Sequence, residues 1–300
     1  MALSFVSHAH RDHMAAHARM LCTPVTADLL AAQGWSAAAQ PLEVLRPIQL
    51  GPYRLELLPA GHISGAAQLL VTAGAHRTIY TGDLGPLAGS VVAGRPMLTE
   101  CDELIIDATY GHPRHRYEDP AVAVSQLLDR VVAARKRGEV VVVLANPVGR
   151  AQEVIHALLD AGLPVNAPPR LVALSRACGG LAALDAARLR PFRGSPPDSG
   201  VCVYPIQARA RTLAWKNVFR IAVTGMLSPG TPATLGVQDV VGLTDHADFD
   251  DLLQLVEESG ARRVWTAFTH AGPLAAALTE RGVTAAPLVD PPQLPLFPSS

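Results

Sequence analysis

Hydrophobic and polar positions change their period several times along this chain. Leu3–Ser7 is a short apolar run that predicts a buried strand leading straight into His8. Residues 11–20 and 26–34 carry apolar side chains at helical spacing and predict two helices. Tyr53–Leu58 alternates as a half-buried strand does, and Ala66–Thr72 and Arg77–Thr81 predict two strands joined by a turn at Ala73–His76. Glu103–Asp107 predicts a further buried strand. From about residue 119 the pattern becomes a repeating helix and strand alternation. Residues 120–137 and 149–161 read as helices around Val140–Ala145, a Val-rich run suited to a parallel strand buried on both faces. Gly200–Ile206, Arg220–Thr224 and Val237–Leu243 predict strands, then 248–258 a helix, 262–268 a strand and 272–281 a helix. The Pro, Gly and Ser of 191–200 mark a loop, and the Pro-rich stretch from Pro287 predicts a mobile tail. There is no internal repeat.

Composition narrows the function classes. A chain of 300 residues with 49% hydrophobic side chains buries about three quarters of its unfolded surface. The net charge is -1, so a nucleic-acid partner would have to be met by a local basic surface rather than by a global excess. The lysines are Lys136 and Lys216; the remaining basic charge is arginine. Cys22, Cys101, Cys178 and Cys202 form no CxxC pair, which argues against a zinc ribbon or a disulfide scaffold and predicts free thiols in a reducing cytoplasm. MALSFVSHAH has neither the charged nor the apolar region of a signal peptide, and no apolar run approaches a membrane span.

The candidate chemistry begins at Ser7-His8-Ala9-His10-Arg11-Asp12-His13. Four metal-competent side chains lie within six residues, after a strand and at a predicted helix start. Imidazole and carboxylate suit zinc or manganese. His17, one turn on, reads as a helix-surface residue, and His76 and His156 also read as surface. Two later segments each end a predicted strand: Ala60-Gly61-His62, and Thr81-Gly82-Asp83-Leu84-Gly85. A lone His or a TGD turn is ordinarily structural. In this order after the first cluster they supply the missing ligands of a two-metal site, in which a carboxylate such as Asp83 bridges cations about 3.5–4 Å apart.

The series HxHxDH, then His, then Asp, each at a strand end, resembles the metallo-β-lactamase superfamily. That resemblance implies that His8, His10 and His62 hold a first metal, that Asp12 and His13 hold a second, and that Asp83 bridges. Four downstream segments resemble the β-CASP nuclease group of that superfamily. They are Asp107-Ala108-Thr109-Tyr110-Gly111; Gly149-Arg150-Ala151-Gln152-Glu153; Thr244-Asp245-His246-Ala247-Asp248; and Phe268-Thr269-His270-Ala271-Gly272. Singly, Asp107 could cap a turn, His246 could cap the next helix, and Arg150 could be a solvated side chain. Their joint order favours the resemblance, which covers roughly residues 3–288. Ala271 stands where the group usually has Gly.

The implied fold is an α/β metallo-β-lactamase αββα sandwich carrying an inserted β-CASP domain. Its first part would be residues 1–115, the insertion 116–236, the return segment 237–288, and a flexible tail 289–300. The family usually has several strands before HxHxDH, so the N-terminal strands are expected to be abbreviated, and a homodimer would cover the exposed edge. The implied activity is hydrolysis of nucleic-acid phosphodiesters with two divalent ions, Zn or Mn. His246, oriented by Asp107, would act as the acid, and His270 would complete the second metal's shell. Arg150, Ser228, Arg114 and Arg116 are the candidate phosphate contacts.

A thioesterase or lactonase on the same fold would lack the insertion and its motifs, and a non-catalytic subunit would lose metal ligands that this chain keeps. His270 is associated more with RNA enzymes of the group. Thr244–Leu278 also resembles exonucleases associated with DNA ligases, and Gln293-Leu294-Pro295-Leu296-Phe297 resembles the peptide with which bacterial proteins bind the DNA sliding clamp. In that peptide Gln293 would be the polar anchor, with Leu294 inside the motif and Leu296 and Phe297 entering an apolar groove. The expected substrate is therefore single-stranded DNA in repair or replication, with RNA processing as the alternative.

Overall fold

The computed structural model describes residues 3–288 except 16, 36–37, 180–185, 198 and 228–229. Ser228 and the tail residues Gln293, Leu294, Leu296 and Phe297 lie outside the described residues. In chain order, the first part contains β1 (Ser4–Phe5), β2 (Met20–Cys22), α1 (Pro24–Ala32), β3 (Ala39–Pro41), β4 (Ile48–Leu50), β5 (Tyr53–Pro59), β6 (Ala67–Ala73), β7 (His76–Tyr80) and β8 (Glu103–Asp107). There follow α2 (Pro120–Lys136), β9 (Val140–Ala145), α3 (Arg150–Asp160), β10 (Val165–Ala167), α4 (Pro169–Ala177), β11 (Leu189–Pro191), β12 (Val201–Pro205), β13 (Val218–Val223), α5 (Thr231–Leu235) and β14 (Asp239–Val241). The chain then returns through α6 (Phe249–Ser259), β15 (Arg263–Ala267), α7 (Ala271–Glu280) and β16 (Ala285–Pro287).

Among the described residues the architecture is α/β with three sheets. A small parallel sheet has the order β1-β2-β3, and a mixed sheet the order β16-β15-β8-β7-β6-β5-β4. A parallel sheet has the order β11-β10-β12-β9-β13-β14. The Val-rich β9 lies inside the last of these. Val141 and Val143 pack on α2 and α3 through Leu127, Val131, Val154 and Ile155. Val142 and Leu144 face Cys202 and Tyr204 on the other side. A strand covered on both faces has no use for alternation, which is why its sequence is continuously apolar. In the mixed sheet, Ile79, Leu104 and Ile106 pack beneath Leu252 and Leu255 of α6 and Leu274 and Leu278 of α7.

The helix expected over 11–20 is not formed. Arg11–His13 make one 3-10 turn, and Met20–Cys22 are the fully buried central strand of the small sheet. The helix start lacks a side-chain cap, because His10 turns its ring elsewhere. The next helix has what this one lacks. Thr23 accepts from the Thr26 N–H at 3.1 Å, and Pro24 occupies the first turn of α1. His17 accordingly lies in a loop and not on a helix surface.

Candidate metal centre

Strand direction brings the candidate residues to one edge. β5 and β7 are both antiparallel to β6, and β7, β8 and β15 are mutually parallel. The carboxyl ends of β5, β7, β8 and β15 therefore share one side of the sheet. From them project His62, Asp83, Asp107 and the 268–270 turn. The loop after β1 adds His8, His10 and His13, and the loop after β14 adds Asp245 and His246. Gly82 permits the close approach. Its φ is +56°, and a Cβ there would lie 2.5 Å from that of Ser7.

Backbone carbonyls set two imidazole tautomers. His62 Nδ1 donates to Asp245 O at 2.8 Å, and His10 Nε2 donates to Val148 O at 3.0 Å. The remaining nitrogens, His62 Nε2 and His10 Nδ1, then carry lone pairs, and they face each other at 3.1 Å. His8 Nε2 lies 3.1 Å from the same His10 Nδ1. Asp83 Oδ2 is 3.5 Å from His8 Nε2 and 3.6 Å from His62 Nε2, and Asp83 Oδ1 is 3.4 Å from His13 Nε2. Donor atoms of His8, His10, His62 and Asp83 all fall within 4.8 Å of one another. Lone pairs aimed at one point repel unless a proton or cation sits among them. Burial, and after it the neighbouring imidazoles, holds His8 and His62 well below their ordinary pKa, and burial lowers His10 and His13 too. Protons are thus disfavoured, and a cation fits the set.

The carboxylates point the same way. Burial, then the charge of Asp107, pushes Asp83 up to about 8. An anion so crowded is stabilised when a cation takes the place of the proton. Asp107 is buried and lowered instead: burial would raise it, but the hydrogen bond from His246 and the N–H of Thr109 overcome that. His246 Nδ1 donates to Asp107 Oδ2 at 3.1 Å, and its Nε2 lies 4.0 Å from Asp83 Oδ2. Burial opposes charge on His246, yet Asp107 raises it to about 9. A second trio, His62, Asp245 and His246, also brings donor atoms within 4.8 Å.

The structure gathers His8, His10, His13, His62, Asp83, Asp107 and His246. Asp12 stays exposed on its turn and lines the adjoining cavity of about 820 Å3. His270 lines that cavity as well, with Nδ1 donating to Thr109 O at 2.6 Å and Nε2 accepting from Arg114 at 3.2 Å. Arg114 also donates to His115 Nε2 at 3.1 Å. Arg116 pairs through two nitrogens with Asp250, at 2.6 and 3.1 Å, and is outside the cavity lining. Arg150 is buried and ion-paired to Asp245; its Nε has no hydrogen-bond partner among the described residues, and the side chain lines the cavity.

Asp245 and Phe268 were missed in the sequence. Asp245 is held low because Arg150, then His62, outweigh its burial. It sits beside His246 within the same segment, which was the available signal. Phe268 adopts φ +74°, a left-handed conformation costly for a bulky residue, and presents its ring to His13 at 5.6 Å between centroids. Nothing in sequence announces that conformation. The four cysteines are buried and unpaired. No helix among the described residues is long and apolar enough to cross a membrane.

No family model matches the chain. It is 31% identical over 303 residues to a probable DNA ligase from Opitutus terrae, an alignment that takes in 98% of this chain and 29% of that protein. It is 26% identical over 174 residues to an RNase J-like protein from Methanocaldococcus jannaschii, covering 50% of this chain and 41% of that one. With a ribonuclease from Thermus thermophilus the identity is 27% over 124 residues, 41% of this chain and 28% of the other. The chain spans less than half the length of each of these relatives. A solved structure, a protein of unknown function from Enterococcus faecalis, superposes with a TM-score of 0.63 at 13% identity, over 96% of this chain and 79% of that one. That likeness concerns fold alone.

Proposed function

We propose that this chain is a nuclease of the metallo-β-lactamase and β-CASP type that hydrolyses single-stranded DNA with the help of two divalent cations. The observation that carries the proposal is the convergence of His8, His10, His62 and Asp83 donor atoms within 4.8 Å, next to the Asp107–His246 pair. The names of the relatives, a probable DNA ligase, an RNase J-like protein and a ribonuclease, support a nuclease. By the sequence resemblance, His8, His10 and His62 would hold one cation, Asp12, His13 and His270 the second, and Asp83 both. Zinc or manganese there would offset phosphate charge and activate water for attack on phosphorus.

The chain's own residues supply the rest. His246 is held protonated near neutral pH by Asp107, whose second oxygen accepts from Thr109 N at 2.7 Å and so cannot swing away. Its Nε2 is on the Asp83 side of the ring, from which a proton can pass to the leaving oxygen. Arg150 anchors Asp245, and Asp245 O fixes the tautomer of His62. DNA is favoured because the relative aligned along nearly the whole chain is the one named a DNA ligase, and because QLPLF resembles a clamp-binding peptide. RNA is the second reading, favoured by the relatives named as ribonucleases.

The test is digestion of end-labelled single-stranded DNA and RNA of one sequence by the purified chain with Mn or Zn, beside Asp83→Asn. Cleavage by the wild-type chain that chelator and Asp83→Asn both abolish is expected. Failure to cleave either polymer with any divalent cation overturns the proposal.

A further inference from the structure

Beside the metal cavity lies a second space that no motif named. A hollow of about 400 Å3 has Arg11, Asp12, Asn146 and Arg170 on its walls, with Leu171 and Leu174 of α4. Asp12 and Asn146 also line the metal cavity, so the two spaces share a wall. At its other end Arg11, Gln33, Trp35 and Arg170 border a further hollow of about 370 Å3. Arg11 comes from the HxHxDH turn, Trp35 from the loop after α1, and Arg170 from the first turn of α4. The trench therefore runs between the first part of the chain and the parallel-sheet segment.

The outer end of the trench is basic. The chain carries a net charge of -1, yet among the described residues the outer hollow is bordered by two arginines and no acid. Both guanidinium groups are exposed, and neither has an ion pair or hydrogen bond among the described residues. Arg116, Arg130 and Arg137, by contrast, are each matched by a carboxylate. Trp35 is half-buried against the core, so its orientation is fixed at little entropic cost. Gln33, between them, is held by donating to Ala9 O at 2.7 Å. Unmatched guanidinium groups beside an anchored aromatic ring are what a single-stranded nucleic acid uses, phosphates on the arginines and a base on the indole.

We infer that the Arg11–Trp35–Arg170 trench is the track along which single-stranded nucleic acid lies beside the metal centre. Arg11 and Arg170 each take a phosphate, and Trp35 stacks a base. The inference rests on the proposed nuclease activity and adds to it the path of the strand.

The test uses full-length chain bearing Asp83→Asn, so that bound oligomer survives, with fluorescein-labelled dT and rU 20-mers read by anisotropy. Adding Arg11→Ala and Arg170→Ala is expected to weaken binding about tenfold at 0.1 M salt. The log–log salt slope should flatten by about 1.4, two contacts at about 0.7 each for single strands. Arg46→Ala, an exposed arginine away from the trench, should change neither. Oligomer should also quench tryptophan fluorescence, and Trp35→Phe, which keeps the ring packed, should remove that quench. Tighter binding of dT or of rU tells which polymer the track prefers. Wild-type affinity and slope in the double variant overturn the track while leaving the nuclease proposal standing. If wild-type chain cleaves neither polymer, the nuclease proposal falls and takes the track with it.

Discussion

Glu153 gives a quantitative handle on the contact between α3 and the first part of the chain. It is 8% exposed, and burial pushes its carboxyl from 4.5 up to about 7 against the opposing hydrogen bond with Ser90. The folded state thus prefers the neutral acid. The group's stabilising contribution is fully present below the unfolded value near 4.5 and is lost as pH rises through about 7. The rise from 4.5 to about 7, at about 1.36 kcal/mol for each factor of ten, bounds the loss at about 3.4 kcal/mol. Between pH 5 and pH 8 the change amounts to about 2.5 kcal/mol, or roughly 70-fold in the unfolding constant. Glu153→Gln keeps the shape and can accept from Ser90, but it never ionises. Urea unfolding of chelator-treated wild-type and variant chain at both pH values isolates the effect, because every other titrating group cancels in the difference. The variant should exceed wild type by about 2.5 kcal/mol more at pH 8 than at pH 5. Equal differences at the two pH values, or a variant less stable at pH 8, would refute the assignment of a buried, reluctant carboxylate.

Three further outcomes are expected. Asp83→Asn exchanges one carboxylate oxygen for an NH2 and removes the negative charge of the group whose oxygens lie 3.4–3.6 Å from His8, His13 and His62. Zn or Mn at 100 times its Kd should stabilise wild-type chain by about 2.7 kcal/mol in thermal unfolding, and most of that gain should vanish in Asp83→Asn. His246→Ala should lower turnover by about 10^2 to 10^4, the range of a general acid. Elemental analysis should still find both cations in it, whereas loss of one equivalent would assign His246 to the metal shell beside His62 and Asp245. A peptide of residues 287–300 should bind the host's sliding clamp at micromolar concentration, and changing Leu296 and Phe297 to Ala should abolish it; absence of binding ends the DNA-clamp connection.

Much of this candidate centre was legible because its residues sit at strand ends, and strand ends show in the hydrophobic period. β7 stops at Tyr80 and β8 at Asp107, one residue from where the apolar runs place them or at the same residue. Their parallel pairing then brings Asp83, three residues past β7, to the same sheet edge as Asp107. The 11–20 helix failed for a related reason. Apolar spacing there was as compatible with a helix as with Met20–Cys22 entering a buried strand. What decides between them is pairing with β1 and β3, which are distant in sequence or too short to stand out.

Arg150 shows where sequence stops. Its place at the start of α3 was readable, and so was its candidacy for phosphate. Its bond to Asp245 depends on how the parallel sheet is set against the mixed one. That setting needs Gly149 at φ +93°, where a Cβ would fall 2.3 Å from Ile63 and near Asp245. The glycine, Ile63 beside His62, and Asp245 beside His246 thus meet at one point. A larger residue at 149 would separate the Arg150–Asp245 pair and shift the carbonyl that orients His62, without touching a ligand. The segment around Arg150 thus bears on the candidate metal centre through packing as much as through charge.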